Sequence, residues 1–191
     1  MSTHGDLARG HDATAPLCET SVRARIDCPG GGACLMSGFP GLQTGIDGSA
    51  YLDPESMTQT LSALRRQKAT LMVVLTEEKE LPEGAFPMLR EQAESLGLEL
   101  AFLPIPDYQA PDSALITSWQ KLEKGRVDTP GKGGTIAFSC QYGAGRSGTM
   151  AAYLLIGLGM APDQAIDQVR SCFSEAIESE VQVNWLTSGR H

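Results

Sequence analysis

Short continuous apolar runs alternate along the chain with stretches in which apolar residues recur at helical spacing. Ile26 and Leu35-Met36 mark two short strands, separated by Cys28-Pro29-Gly30-Gly31-Gly32-Ala33-Cys34, which reads as a turn. Ala69 to Leu75, Leu98 to Ile105 and Thr135-Ile136-Ala137-Phe138 are apolar runs of strand type. Between them, Asp53-Pro54 gives an N-cap with proline at the first helical position. Leu61 and Leu64 carry that helix to about Gln67. Phe86 to Gly97 is a second helical pattern ending on a C-cap glycine. Ser113 to about Lys124 is a third, with Leu115, Trp119 and Leu122 on its inner face and Asp112 as its cap. Met150 to Leu158 is apolar all round and predicts a fully buried helix. Ala161-Pro162 opens a further helix to about Cys172, and a last one is expected from about Ser174 through Leu186. Strands alternating with helices predict an α/β fold, with a central, mostly parallel sheet flanked by helices and a C-terminal helical run.

Length and composition narrow the picture. The chain has 191 residues, enough for one domain with a substantial core. Residues 1–20 are polar and irregular and read as a mobile tail, leaving residues 21–191 as the domain. A net charge of -8 argues against nucleic acid and anionic membranes as partners. The apolar segment from Gly148 to Pro162 is shorter than the ~20 residues a spanning helix needs. The polar opening Met-Ser-Thr-His-Gly-Asp lacks a signal-peptide core. Five irregularly spaced cysteines do not form a disulfide framework, and a reducing cytoplasm is expected. The three histidines, His4, His11 and His191, lie at the ends. The central chain therefore offers no histidine base for a cysteine protease and no histidine metal cluster.

The densest chemistry lies in Ser139-Cys140-Gln141-Tyr142-Gly143-Ala144-Gly145-Arg146-Ser147-Gly148-Thr149, between a strand and a helix. A loop opening a helix presents backbone N–H groups and the positive end of the helix dipole to an anion. Gly143, Gly145 and Gly148 let the backbone approach a ligand closely. Arg146 adds a planar fork suited to two phosphate oxygens. The same positive field favours the thiolate of Cys140 over the thiol, setting a nucleophile beside a bound electrophile. A buried cysteine in a glycine-rich turn is usually packing. An arginine at a buried helix start has no packing rationale without an anion to meet it. The same segment contains a literal G-x-G-x-x-G, the dinucleotide fingerprint, but the chain continues into helices and not into the strand that would carry a ribose-binding acid. The G-x-x-x-x-G-K-[S/T] loop of nucleotide triphosphatases is not present.

Cys140 through Ser147 resembles the C-x5-R-[S/T] phosphate loop of the cysteine-dependent protein phosphatases. The spacing C-x-x-G-x-G-R-S is most similar to the dual-specificity branch, notably the cyclin-dependent-kinase-associated and Cdc14-like enzymes. The resemblance implies a phosphatase-like fold and hydrolysis of phosphotyrosine, with phosphoserine and phosphothreonine as further substrates, through a cysteinyl-phosphate. It implies no cofactor or metal, and a phosphoprotein or phosphopeptide as partner. Its site would comprise Cys140 as nucleophile, the residues Gln141, Tyr142, Gly143, Ala144, Gly145 and Arg146 around the phosphate, and Ser147 as the hydroxyl on sulfur. Asp107, in Pro104-Ile105-Pro106-Asp107, is a strand-end loop aspartate that solvation explains as readily as catalysis. The resemblance assigns it the proton for the leaving oxygen.

The C-terminal segment Ala176-Ile177-Glu178-Ser179-Glu180-Val181-Gln182 resembles the segment that orients hydrolytic water, with Glu178 where glutamine or an acid is common and Gln182 as the water-positioning candidate. Ser139 stands where the family usually has histidine, and Ser171-Cys172-Phe173-Ser174 where it has Arg-Pro-Gly. The charged run Glu77 to Glu83 reads as a solvated loop. A phosphate-binding pseudophosphatase that shields a phosphoprotein remains the alternative.

Overall fold

The computed structural model describes residues 20–189, so the tail expected at residues 1–20 lies, but for Thr20, outside the described residues. In chain order the elements are β1 (Val22–Asp27), β2 (Ala33–Gly38), β3 (Leu42–Thr44), β4 (Ala50–Leu52), α1 (Pro54–Arg66), β5 (Ala69–Val74), α2 (Ala85–Ser95), β6 (Glu99–Phe102), α3 (Ser113–Lys124), β7 (Thr135–Cys140), α4 (Gly145–Gly157), α5 (Pro162–Cys172) and α6 (Glu180–Thr187). The main sheet has the order β1-β2-β7-β5-β6, and β3 pairs with β4 as a separate hairpin. β1 runs antiparallel to β2, while β2, β7, β5 and β6 are mutually parallel. Parallel neighbours need crossover helices, and those helices cover both faces of the sheet.

Every residue of β7 is buried. Its alternation splits the core in two. Ala137 points into a cluster with Leu35, Met57, Leu61, Leu64, Met72, Val74 and Leu89, which α1 and α2 close. Ile136, Phe138 and Cys140 point to the opposite face, where Trp119 of α3, Met150 and Leu154 of α4, Val169 of α5 and Leu186 of α6 pack. The Trp119 and Phe138 rings are tilted at 5.4 Å. Burying a side chain of this size contributes about 1.5–3 kcal/mol, so β7 and the largely buried α4 are firmly anchored in the core.

The helix starts follow from their caps. Asp53 Oδ1 accepts from the amides of Glu55 and Ser56 at 2.9 and 3.3 Å, with Pro54 at the first position. Asp112 Oδ1 accepts from the Leu115 amide at 2.7 Å and caps α3. One expected start moves: the last helix begins at Glu180, not near Ser174. Ala176 and Ile177, whose apolarity suggested a helix, plug the core from a loop in which Ile177 has φ 59°. Arg170 holds that loop by donating from Nε to the Ala176 carbonyl at 3.1 Å and from Nη2 to the Ile177 carbonyl at 2.9 Å. Ser179 and Gln182 then form a capping box that opens α6.

The sheet ends differ. In register, Gly38 faces Cys140 and Val74 faces Ser139, so the chains leaving β2, β5 and β7 emerge side by side at the carboxyl edge. That edge is where open α/β sheets place ligands. At the amino edge, Arg126 ties the strands together. Its Nε and Nη2 donate to the two Asp128 oxygens, each at 3.0 Å. Nη1 donates to Glu99 at 2.5 Å, and Nη2 reaches the Thr70 hydroxyl at 3.4 Å.

Candidate active site

Cys140 ends β7 and Gly145 begins α4, so only four residues turn the strand into the helix. The Cys140 side chain is buried, and the Gly143 amide donates to its sulfur at 3.2 Å. Gly143 has φ 97°, and a Cβ there would stand 2.4 Å from the Gly38 nitrogen. This turn therefore requires glycine on both conformational and steric grounds. Ala144, at the N-cap of α4, offers no capping side chain. The amides of Gln141, Tyr142, Ala144 and Arg146 donate to no protein acceptor among the described residues. Uncapped donors at a helix start form a ready anion site.

Neighbours fix the outer side of the turn. Phe39 donates its amide to the Gln141 carbonyl at 3.1 Å, and Arg23 Nε donates to the Tyr142 carbonyl at 2.9 Å. The Arg23 guanidinium also lies 4.5 Å from the centre of the exposed Tyr142 ring. Tyr142 in turn donates its hydroxyl to Glu175 at 2.9 Å, a bond that pushes the phenol pKa up from its ordinary value. Arg23 and Glu175 were not legible as loop supports, because nothing local in the sequence marks them.

Arg146 is 2% exposed in its side chain. Its Nη1 donates to Glu80 Oε1 at 2.6 Å and to the Ile105 carbonyl at 3.0 Å. Nη2 donates to Glu80 Oε2 at 2.8 Å and lies 3.3 Å from Asp107 Oδ1. Burial works against the charge, but the Glu80 bonds and the acidic side chains of Glu80 and Asp107 beside it outweigh it. They hold the guanidinium above the usual arginine value. Glu80 corrects the reading of Glu77 to Glu83 as wholly solvated. The segment Glu78–Glu80 is a 3-10 turn in which Glu80 Oε1 also accepts the Glu77 amide at 2.9 Å, leaving the Glu80 side chain 12% exposed. The Glu77/Glu80 capping-box spacing was the available signal that one acid of the run is turned inward.

Asp107 sits between β6 and α3 with its side chain 47% exposed, and accepts the Tyr108 amide at 3.1 Å. Its loop is held from the C-terminal segment. Ser179 Oγ donates to the Tyr108 carbonyl at 2.7 Å, and Gln182 Nε2 donates to the Gln109 carbonyl at 3.3 Å. The other end of the buried Gln182 amide, Oε1, accepts the Ser179 amide at 3.3 Å. Gln182 thus has both polar ends on protein. The buried Ser147 hydroxyl lies 3.5 Å from the Ser37 carbonyl, on the β2 side of the turn, whereas the bond to sulfur comes from Gly143. Ser139, also buried, donates to the Gly38 carbonyl at 3.2 Å and ties β7 to β2 just before Cys140.

Glu178 lies on the remaining side. A Cβ on Gly145 would stand 2.2 Å from Glu178 Oε2. Partial desolvation pushes this carboxyl up from its ordinary value against the pull of the Gly145 amide, and the charges of Asp107 and Glu175 add to the rise while Arg146 opposes it. The structure therefore brings Cys140, Arg146 and Asp107 around one turn, together with Glu80 and Glu178. It places Ser147 behind that turn and Gln182 beneath the Asp107 loop.

Known proteins share this fold. The fold is similar to that of kinase associated phosphatase carrying serine in place of its catalytic site cysteine, with a TM-score of 0.66, 24% identity and coverage of 88% of this chain and 93% of that chain. It is also similar to Tk-PTP in the active form, with a TM-score of 0.62, 25% identity and coverage of 90% and 98%. A 30% identity over 82 residues links it to the probable protein tyrosine phosphatase type IVA A of Dictyostelium discoideum. That stretch is 42% of this chain and 48% of the relative, so the chain spans about half the length of the curated protein it matches. The family model PTP-SAK, described as Swiss Army Knife protein, DSP-PTPase phosphatase domain, matches residues 50–190, from β4 to the C-terminal end. By that match, which takes in the whole turn and every acid around it, the chain belongs to the DSP-PTPase phosphatase family.

Proposed function

We propose that the protein is a phosphoprotein phosphatase that hydrolyses phosphotyrosine, and phosphoserine or phosphothreonine as well, through Cys140. The observation that carries this reading is the guanidinium of Arg146. It is buried at the helix start beside Cys140, with Nη1 and Nη2 on Glu80 and with Nε lacking an acceptor among the described residues. A phosphate bound across the Nε/Nη2 edge would also meet the free amides of the turn.

In the first step the Cys140 thiolate donates an electron pair to phosphorus as the bond to the leaving oxygen breaks. Arg146 and the turn amides hold the equatorial oxygens. Asp107 gives its proton to the leaving oxygen. In the second step it takes a proton from the attacking water, while the P–S bond breaks and the pair returns to sulfur. The placement of Asp107 supports this assignment: its Oδ1 stands 3.3 Å from Arg146 Nη2 on the half-exposed side of the turn, where a leaving group would face solvent. Gln182 and Ser179 act through the Asp107 loop as positioning residues.

The test is turnover of p-nitrophenyl phosphate. Cys140→Ser removes it while retaining phosphate binding, and Asp107→Ala slows it and accumulates a bound phosphopeptide. Unchanged turnover in Cys140→Ser would falsify the scheme. Ser139 supports a second reading, since its hydroxyl bonds to Gly38 and contributes no second nitrogen of the kind the family histidine supplies. On that reading the wild type binds phosphopeptide without turning it over. Single-turnover measurement separates the two. The partner on either reading is a phosphoprotein. Chemistry that runs through the thiolate of Cys140 calls for a reducing setting, which fits a cytoplasmic one.

A further inference from the structure

We propose that Glu178 is a proton-controlled rival of the substrate phosphate. Ionised, its carboxylate occupies the Gly145 end of the turn; protonated, it yields that end to the ligand. This rests on the turn being the phosphate site.

The placement is steric before it is electrostatic. Glu178 Oε2 comes so close to Gly145 that no Cβ fits between them, and Gln182 Nε2 lies 3.2 Å from the same point. Gly145 is the first residue of α4, so its amide has no partner within the helix and turns to whatever acceptor stands in front of it. The backbone carrying Glu178 is held on both sides. Arg170 bonds the two carbonyls before it, Ile177 adopts φ 59°, and Ser179 after it caps α6 and bonds the Tyr108 carbonyl. The carboxylate is therefore presented to the turn by the fold.

The charged and titratable groups around Glu178 are Asp107 from the β6–α3 loop, Arg146 from α4, Glu175 from the segment after α5 and Tyr142 from the turn itself, with Arg170 of α5 and Glu180 of α6 lining the cleft on its outer side. Arg146 is the cation that pulls on the carboxyl from the turn side, and Glu80 already shares it; Arg170 is engaged by the Ala176 and Ile177 carbonyls. An arriving phosphate dianion adds negative charge to a place where two carboxylates repel Glu178 and one arginine attracts it. The energetically easier course is for Glu178 to take up a proton as phosphate binds. The carboxyl is already raised from its ordinary value in the absence of phosphate, so the protonated, yielding form grows as pH falls through that raised value.

Calorimetric titration of the full chain with inorganic phosphate, in buffers of different ionisation enthalpy, tests this directly. Glu178→Gln keeps the shape and loses the charge. It is expected to bind phosphate about tenfold more tightly than wild type near about pH 7.5, with the gap closing towards about pH 5, and to take up fewer protons on binding. Glu178→Ala should follow the same trend and serves as the second variant. Equal affinity and equal proton uptake across the range, or weaker binding by Glu178→Gln at every pH, would overturn the proposal. Absence of phosphate binding from wild type and variants alike would bring down the phosphate site itself, and the rivalry with it.

Discussion

Two arginines hold the two ends of the sheet, each against two carboxylates, and they differ in which edge of the guanidinium is engaged. At the amino edge, Asp128 binds Arg126 side-on through Nε and Nη2, Glu99 takes Nη1, and Thr70 meets a remaining hydrogen. At the carboxyl edge, Glu80 binds Arg146 end-on through Nη1 and Nη2, Ile105 takes another hydrogen, and Nε has no acceptor among the described residues. A guanidinium offers two bidentate edges of this kind. Arg126 has its Nε edge closed by protein and joins β5, β6 and the approach to β7. Arg146 keeps its Nε edge available, is buried more deeply, and has its position fixed by an acid that leaves that edge untouched. Charge is similar in kind at both ends, and the orientation of one carboxylate decides whether the Nε edge is closed by protein or left without an acceptor among the described residues.

Replacing each arginine by lysine breaks the comparison most severely. Lysine keeps the charge and loses the fork. Arg146→Lys should lower kcat by roughly 10²–10³-fold, the scale of losing a transition-state donor. Arg126→Lys should leave kcat/KM within about twofold and act on stability alone, as surface-directed clusters do. Steady-state kinetics with p-nitrophenyl phosphate beside thermal melts of both variants gives the answer. Loss of turnover in Arg126→Lys at full folding would remove the distinction between the two ends.

Removing the orienting acid sharpens it. Glu80→Gln takes away the hydrogen-bonded countercharge of buried Arg146 and leaves only the half-exposed Asp107, and breaking a buried pair in this way costs up to about 3–5 kcal/mol. Phosphate can supply the missing charge. The melting temperature of Glu80→Gln should therefore rise more on adding phosphate than that of wild type, while kcat/KM falls by roughly 10–100-fold through misplacement of the fork. Glu99→Gln at the other end should show no phosphate-dependent recovery. A Glu80→Gln protein whose melt responds to phosphate as wild type does would mean that Glu80 does not hold the arginine for its ligand.

What could be read from the chain follows the same division between contiguous and assembled features. The β7–α4 turn is contiguous, so the order of Cys140, its glycines and Arg146 pointed to an anion site without any help from the fold, and the continuous apolar run Thr135-Ile136-Ala137-Phe138 pointed to the buried strand that β7 is. Asp112 was legible as a cap because the helix it caps follows at once. Glu80 was not legible as the partner of Arg146. It lies in a run with Glu77, Glu78 and Lys79, and only the 3-10 turn decides which acid of that run points inward. The start of α6 was misplaced for a related reason. Ala176 and Ile177 have the apolarity of a helical face, but Arg170, from α5, holds their carbonyls in a loop. Gln182 shows the limit most clearly. Its identity fits a residue that positions water, yet contacts with Ser179 and Gln109 engage both ends of its amide.

A smaller prediction concerns Asp107 and Asp112, two aspartates near one another on one loop. Asp112→Ala should cost about 1 kcal/mol, the ordinary value of an N-cap, with kcat/KM nearly unchanged. Asp107→Asn should leave the melt unchanged and lower kcat, more for a phenyl phosphate with a poor leaving group than for p-nitrophenyl phosphate, because the better leaving group needs less help from a proton. Equal loss on both substrates would remove Asp107 from the proton transfer and leave it as a partner of Arg146.

The smallest effect separates the two ends by pH. The Arg126 bonds, then the Thr70 hydroxyl, hold the Asp128 carboxyl below its ordinary value. A carboxyl lowered in the folded state contributes stability that is present above its unfolded value and lost as pH falls through its folded one. At Glu178 the sign is reversed. Its carboxyl is raised, so the folded protein disfavours the ionised form and is relieved as pH falls. Denaturant melts of Asp128→Asn should therefore show a flatter acid limb than wild type, and those of Glu178→Gln a steeper one. The Asp128 side chain is 33% exposed and solvent screens it, so its share should be about 1 kcal/mol or less and should shrink further in high salt. A steeper acid limb in Asp128→Asn would mean that the Asp128 carboxyl is raised on folding, not lowered, so that the side-on pair with Arg126 does not stabilise the amino edge and the contrast between the two arginines loses that side.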